Sequence, residues 1–378
     1  MLRPRIVLVA LGLVAAAFLA HAATVRYPPS PVAFDADPAV WPGVFHVHTV
    51  ASDGLGTLDD VAEAAKAAGA TWVLVADHNR LDFPSGRLVK GVLMVSAPEV
   101  SALDGHVNAL GVSRALTRPE RKAPTALATI RSLGGTPVAA HPLDWKRPYH
   151  GLDDPALGGM EVLSADQELH DALLAPLRIV PAALSYLVNP MHGVARLIRR
   201  PAATLARWDE LLATRRIMGF CAIDAHGRPS YTVMMRLLQM HVVVGRPRSN
   251  DASADGAALL DALTRGRSYC GVEVFGSAGG FRFGATVGPR VAGIGDEVAL
   301  AEHPVLKVDL AYSALPRDVH PVIICGGAET ALIRQPGQER LTYEFRPVRT
   351  GACRVEVRLG GPGAAAVPWI VSNPIFVR

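Results

Sequence analysis

His46 and His48 alternate along the apolar run from Val44, and strand side chains repeat every second residue, so both imidazoles point to one side. Asp53 follows in a Ser-Asp-Gly turn, and a second apolar run, Val73 to Ala76, ends in Asp77-His78-Asn79. Further on, Glu99 closes the run from Val92 to Pro98 and His106 opens the strand-like stretch Gly105 to Gly111. His141 follows Val138-Ala-Ala, and Asp224 and His226 follow the run Met218 to Ile223. Imidazole together with carboxylate suits zinc, manganese or iron, and a carboxylate can bridge two ions. His46, His48, Asp53, His78, Glu99, His106, His141, Asp224 and His226 are too many for one ion. They suit two or three, an arrangement that clamps a phosphoryl group and lowers the pKa of a bound water enough to make hydroxide at neutral pH.

Such side chains need strands that end at one place. Thr57 with Asp59 and Asp60 reads as a capped helix start, and the Ala-rich segment Val61–Ala68 continues it to Gly69. Strand, helix and strand in this length make a βαβ unit with parallel strands. Helical patterns recur at 124–133 and 202–214, and a short strand, 159–163, carries Glu161. Repeated β-then-α units with metal-capable residues at the strand ends argue for a closed or nearly closed barrel with its site at the carboxyl-terminal face. An apolar, proline-broken stretch over 171–201 ends in Arg196, Arg199 and Arg200. It could rest on a membrane surface, but helices covering the barrel fit it better because Pro181 and Pro190 should break a long interfacial helix. After 282 the chain turns to short β-rich runs spaced as in a small antiparallel sandwich, with no catalytic constellation.

The 378 residues suffice for two domains, and 50% hydrophobic content excludes disorder and fibre. The net charge of +4 is spread along the chain and gives no footprint for nucleic acid. Arg3 and Arg5 precede an apolar run, Ile6 to Ala20, that ends in Ala20-His-Ala22-Ala. This is the pattern of a secretory signal cleaved after Ala22, or of an uncleaved anchor with its arginines on the cytoplasmic side. Both place the remainder outside the cytoplasm, periplasmic or membrane-anchored. Residues 1–23 are therefore the export segment and 24–42 a Pro-rich linker. A catalytic domain is expected over 43–282 and a β-domain over 283–378. No cysteine pair among Cys221, Cys270, Cys325 and Cys353 has metal-ligand spacing. Cys325 and Cys353 could bridge two sheets, but unpaired buried thiols are the expectation.

The order of these residues resembles the polymerase and histidinol phosphatase (PHP) family of metal-dependent phosphoesterases. The resemblance rests on His46-Val-His48-Thr with Ser52-Asp53-Gly54, Asp77-His78-Asn79, Glu99, Gly105-His106, Ala140-His141-Pro142 and Asp224-Ala225-His226. It implies an α/β fold, a distorted (β/α)7 barrel, with three ions. By that resemblance His46, His48, Glu99 and Asp224 share one ion, Glu99 bridges to a second held by His106 and His141, and Asp53, His78 and His226 hold the third. The end of the chain, Pro368-Trp369 through Ser372-Asn373-Pro374, is similar to that of longer members carrying an added β-domain. Asp77 can cap a turn, Asn79 can orient a ligand, and Glu161 can either support a ligand or be solvated. His150, His170, His192 and His241 match nothing in the pattern and read as structural. Arg80, Arg147 and Arg228 each follow a ligand-bearing strand end and are candidates to bind a substrate phosphate.

The resulting expectation is a phosphomonoesterase or phosphodiesterase that acts on a small phosphorylated substrate with two or three divalent ions, Zn, Mn or Fe. Here His46, His48, Asp53, His78, Asp224 and His226 carry the catalytic centre. The alternative is an exported metal-binding protein with weak or no catalysis that docks to an envelope component. A polymerase-associated nuclease is disfavoured by the export segment and by the lack of a basic, aromatic-rich channel. The number of subunits is left open.

Overall fold

A computed structural model of the chain describes residues 4–28, 34–249, 251–312, 319–333, 341–360 and 366–378. Arg3 lies outside them, and the side chain of Arg5 is likewise not described. The apolar amino-terminal run forms helix α1 (Pro4–Thr24), whose described side chains are almost all exposed.

Strand β1 (Val40–Val47) begins a few residues before the expected domain start, because its first half pairs antiparallel with a later strand. Helix α2 (Leu58–Ala67) opens on a capping box: the Thr57 hydroxyl accepts from the Asp60 amide, and the Asp60 carboxylate accepts from the Thr57 amide. It buries Val61, Ala62, Ala64 and Ala65. Strands β2 (Trp72–Val75) and β4 (Val92–Ser96) then run parallel to β1, with the short β3 (Arg87–Val89) antiparallel at the edge.

A second, five-stranded sheet follows: β5 (Glu99–Ser101), β6 (His106–Leu110), β7 (Thr136–Ala139), β8 (Gly159–Ser164) and β9 (Met218–Ala222). Helices α3 (Arg118–Arg121) and α4 (Ala126–Ser132) lie between β6 and β7. Between β8 and β9 come α5 (Ala165–Leu173), α6 (Pro176–Val188), α7 (Pro190–Ala195) and α8 (Ala202–Leu212). Pro181 sits inside α6 without ending it, so the expected break at that residue does not occur; Pro190 opens α7. After β9 come α9 (Tyr231–Leu237), β10 (Gln239–Val243), α10 (Ala252–Thr264) and β11 (Ser268–Gly271).

The fold is a mixed α/β arrangement of several sheets, and the expected closed (β/α)7 barrel is not what the strand pairing gives. β5, β6 and β7 pair antiparallel, and among the described residues the two groups of strands are joined by isolated bridges, Val47 to Ala225 and His78 to Glu99, rather than by continuous ladders. A physical reason lies at the seams. His46, Asn79, His141 and Asp224 adopt positive φ (69°, 58°, 30° and 44°), and the β1–β2 ladder shifts register between Val44 and Val47, on either side of His46. The regular ladders are thus disturbed where candidate ligands project.

The carboxyl-terminal strands also depart from a separate sandwich. Phe281–Val287, Arg290–Gly293, Val305–Leu310 and Leu341–Phe345 form a four-stranded antiparallel sheet, and its first strand spans the expected 282/283 boundary. It shares a core that includes Phe281, Val308, Ile323, Val355 and Trp369 with strands of the large sheet. Those strands are continuous with the first half of the chain, because Val367–Ser372 pairs with β11 and β11 with β10. Cys325 and Cys353 form a disulfide between neighbouring strands of one sheet, against the expectation of unpaired thiols, since their register sets them directly opposite. Cys221 and Cys270 are buried and free.

Candidate metal centre

The strand ends bring the nine expected residues to one place. His46 Nε2 and His48 Nε2 lie 3.1 Å apart and 3.3 and 3.1 Å from Asp224 Oδ1. Glu99 sits beneath them, its two oxygens 3.5 Å from His46 Nε2 and 3.4 Å from His48 Nε2. The same carboxylate meets His106 Nδ1 at 3.0 Å, His141 Nε2 at 3.4 Å and His78 Nδ1 at 3.1 Å. Asp53, half exposed on its turn, lies 3.3 Å from His78 Nε2 and 3.4 Å from His226 Nε2. His78 therefore faces both Glu99 and Asp53 and sits between the sets implied for the second and third ions.

Three of the imidazoles, those of His46, His141 and His226, are oriented from behind. His46 Nδ1 donates to Glu161 Oε1 at 2.6 Å, His141 Nδ1 to the Arg147 carbonyl at 2.9 Å, and His226 Nδ1 to the Asp224 carbonyl at 2.9 Å. Each bond turns Nε2 toward the carboxylates, the direction a metal ligand needs. Glu161 also accepts from the His141 amide at 2.7 Å and from Asn108 Nδ2 at 3.1 Å, so it fixes two strand ends at once. That is a supporting position, one of the two left open for it. Asp77 caps the turn that carries Asp53: it accepts from the Thr49 amide, the Thr49 hydroxyl and the Ser52 hydroxyl at 2.6–2.8 Å. Asn79 exchanges hydrogen bonds with Ser101 on β5, two residues from Glu99.

The electrostatics mark a place for positive charge. Burial would raise the Glu99 carboxyl, but the surrounding imidazoles, His46 foremost, hold it well below the usual range. Asp224, also desolvated, is lowered by His46 and His48. Burial would lower His141, yet the Glu99 carboxylate 3.4 Å from its Nε2 and the charges of Glu161 and Asp224 push it up to about 9. Among the described residues, His78 Nδ1, Glu99 Oε1, His106 Nδ1, His141 Nε2 and both Asp224 oxygens are buried without a hydrogen-bond partner. A buried polar group left unsatisfied costs about 1–3 kcal/mol. So many converging on each other at 3–3.5 Å fit divalent cations and little else.

No protein-family model matches this chain, and no curated protein matches it. A solved structure from Bacteroides vulgatus ATCC 8482, a two-domain protein containing a predicted PHP-like metal-dependent phosphoesterase, is similar to it at 13% identity with a TM-score of 0.39. The similarity spans 91% of this chain and 98% of that one. The reading of the site rests on its own side chains.

The three candidate arginines separate. Arg147 joins the centre, its guanidinium 3.5 Å from Asp224 Oδ2 and 2.7 Å from Asp166. Arg80 turns away to pair with Asp82 at the surface. Arg228 is exposed at the mouth of an apolar cavity beside His226. Sequence reasoning missed the cluster of Asp144, Asp166 and His170, in which His170 Nδ1 lies 2.6 Å from Asp144 Oδ2. His170, read as structural, thus borders the centre through Arg147. Its only signal was a His four residues after Asp166 on one helix face, a spacing too common to single out.

Proposed function

We propose that this chain is an exported metal-dependent phosphoesterase of the PHP type. The observation that carries the reading is the convergence of buried, unpaired imidazole nitrogens and carboxylate oxygens from separate strand ends, with the Arg147 guanidinium beside them. His46, His48, Glu99 and Asp224 would hold one ion, Glu99, His106 and His141 a second, and Asp53, His78 and His226 a third. Two or three ions, Zn, Mn or Fe, supply Lewis acidity toward a phosphoryl oxygen and a water acidic enough to ionise at neutral pH. Arg147 is placed to bind a non-bridging phosphate oxygen, with Asp166 holding its guanidinium in position. Glu161 and Asp77 keep the ligands from collapsing onto one another. Helix α1 supports export or anchoring, being the one described helix long and apolar enough to cross a membrane unaided, and the disulfide agrees with an oxidising compartment.

The test is metal analysis of the purified protein beside hydrolysis of an aryl phosphate and an aryl phosphodiester with added manganese or zinc. Two or three ions per chain, with turnover lost in Asp224→Ala while the circular dichroism spectrum is kept, is the expected result. Stoichiometric metal without turnover of either ester would favour the binding-protein alternative, and a folded protein without metal would overturn the reading of the site.

A further inference from the structure

Helix α6 is apolar on two faces that look at different surroundings. One face, with Ile179, Ala182 and Tyr186, lines a cavity of about 590 Å³ closed on its other side by Leu169, Val194 and Leu197. The other face presents Leu177 (95% exposed), Val180, Leu184 and Val188 to the outside, continuing Leu173 and Leu174 at the end of α5, while Leu187 stands exposed at the rim of the cavity. A helix apolar all round is stable only when something apolar covers both faces.

The covering surface is indicated by α1. Its window Val7–Thr24, of mean hydropathy 2.2, is nearly wholly exposed, and the helix packs against α6. Asn189, between α6 and α7, donates to the carbonyls of Ala22 and Val25, and the Arg196 guanidinium lies over the Phe18 ring. Retained as an anchor, α1 would emerge beside α6 and bring the exposed leucines of α6 to the same membrane surface. Gly227, Arg228, Pro229 and Ser230, the residues that directly follow His226, also line the cavity, with Arg228 and Ser230 exposed at its mouth. An apolar cavity thus lies between the membrane-facing helix and the segment that follows the candidate ligand His226.

Resting on the phosphoesterase reading, we infer that the substrate is a membrane amphiphile, a long-chain alcohol or lipid esterified to phosphate. Its hydrocarbon tail lies in the chamber between α6 and α7, and its phosphate reaches the His/Asp/Glu centre beside Arg147. In the reaction water adds to phosphorus and the ester P–O bond breaks. The released lipid alkoxide takes up a proton derived from that water, and phosphate leaves.

The test uses the full chain in vesicles and the kcat/KM of butyl, octyl and dodecyl phosphate, with an aryl phosphate as the tail-free reference. Up to about fourfold is expected per methylene that enters the chamber, the equivalent of about 0.8 kcal/mol for each buried CH2. Because longer chains also partition into the bilayer, the same series is run on Ala183→Trp, which puts bulk into the chamber from α6. The dodecyl-to-butyl ratio of kcat/KM should fall at least tenfold in that variant, and Leu197→Phe from the opposite wall should lower it too. An unchanged ratio in both variants, or a flat series beside good aryl phosphate turnover, overturns the lipid assignment and leaves the phosphoesterase standing. If no ester is turned over, the phosphoesterase reading fails on its own. The chamber is then judged by a dodecyl phosphate with a terminal photoreactive diazirine: labelling of α6 and α7 that is lost in Ala183→Trp supports the tail site, and its absence overturns it.

Discussion

At the residue scale the centre depends on groups that never touch the substrate. Glu161 accepts from His46 Nδ1 and from the His141 amide with different oxygens, so it sets the rotation of one imidazole and the backbone of another. Glu161→Gln keeps the size and one acceptor oxygen but loses the charge, and one of its two bonds must fail. Metal affinity is expected to fall about 10–100-fold, measured by competition with a chelator, while the fold is retained. An affinity within twofold of the parent would show that Glu161 is packing only. Alternating histidines and strand-end carboxylates were legible in the sequence because a period of two and a short turn are local properties. Glu161's role was not, since it depends on which strands become neighbours. Nor was the outward turn of Arg80, which Asp82 dictates from two residues away.

At the scale of elements, three of the nine candidate ligands sit in or at the end of a strand with a bent backbone. Left-handed φ at His46, His141 and Asp224 costs on the order of 1–3 kcal/mol each and persists only where neighbours enforce it. Asp77 enforces the shape of the turn after β1 through the Thr49 amide and two hydroxyls. Asp77→Ala should release that turn and the Asp53 it carries. The expected result is loss of the most weakly held ion, read as metal stoichiometry, and a stability drop of about 1–3 kcal/mol from the unsatisfied Thr49 amide. Unchanged stoichiometry would place the turn outside the metal centre. Helix α2 could be read in advance because its capping box is written in four consecutive residues. The division of the strands into separate sheets could not, because whether a strand end continues its ladder depends on backbone angles that a β-then-α pattern does not encode.

For the whole molecule, the carboxyl-terminal strands are tied to the catalytic half by polar groups as well as by a shared sheet. Asn373 accepts from the Gly219 amide and donates to its carbonyl on β9, the strand that leads to Asp224. That explains why the sequence looked like an added domain yet folds as a continuation: composition reports strand-forming runs, but not which sheet they join. Arg354 grips Asp209 of α8 with two bonds of 2.7 Å, and Arg354, Arg358 and Arg200 all converge on the buried Glu356. Burial would raise the Glu356 carboxyl, but Arg200, Arg354 and Arg358 hold it down at about 2 against an ordinary 4.5. A carboxyl depressed in the folded state contributes stability that is present above pH 4.5 and is lost as pH falls toward 2, because the unfolded chain takes up the proton first. The shift is worth on the order of 3 kcal/mol. Glu356→Gln leaves three arginines around a neutral amide, so it should cost about 3–5 kcal/mol at pH 7, and the gap to the parent should close by about 3 kcal/mol between pH 5 and pH 2. Unfolding of both proteins followed across that window checks it; a gap that stays constant with pH would mean that the Glu356 charge does not hold the two halves together.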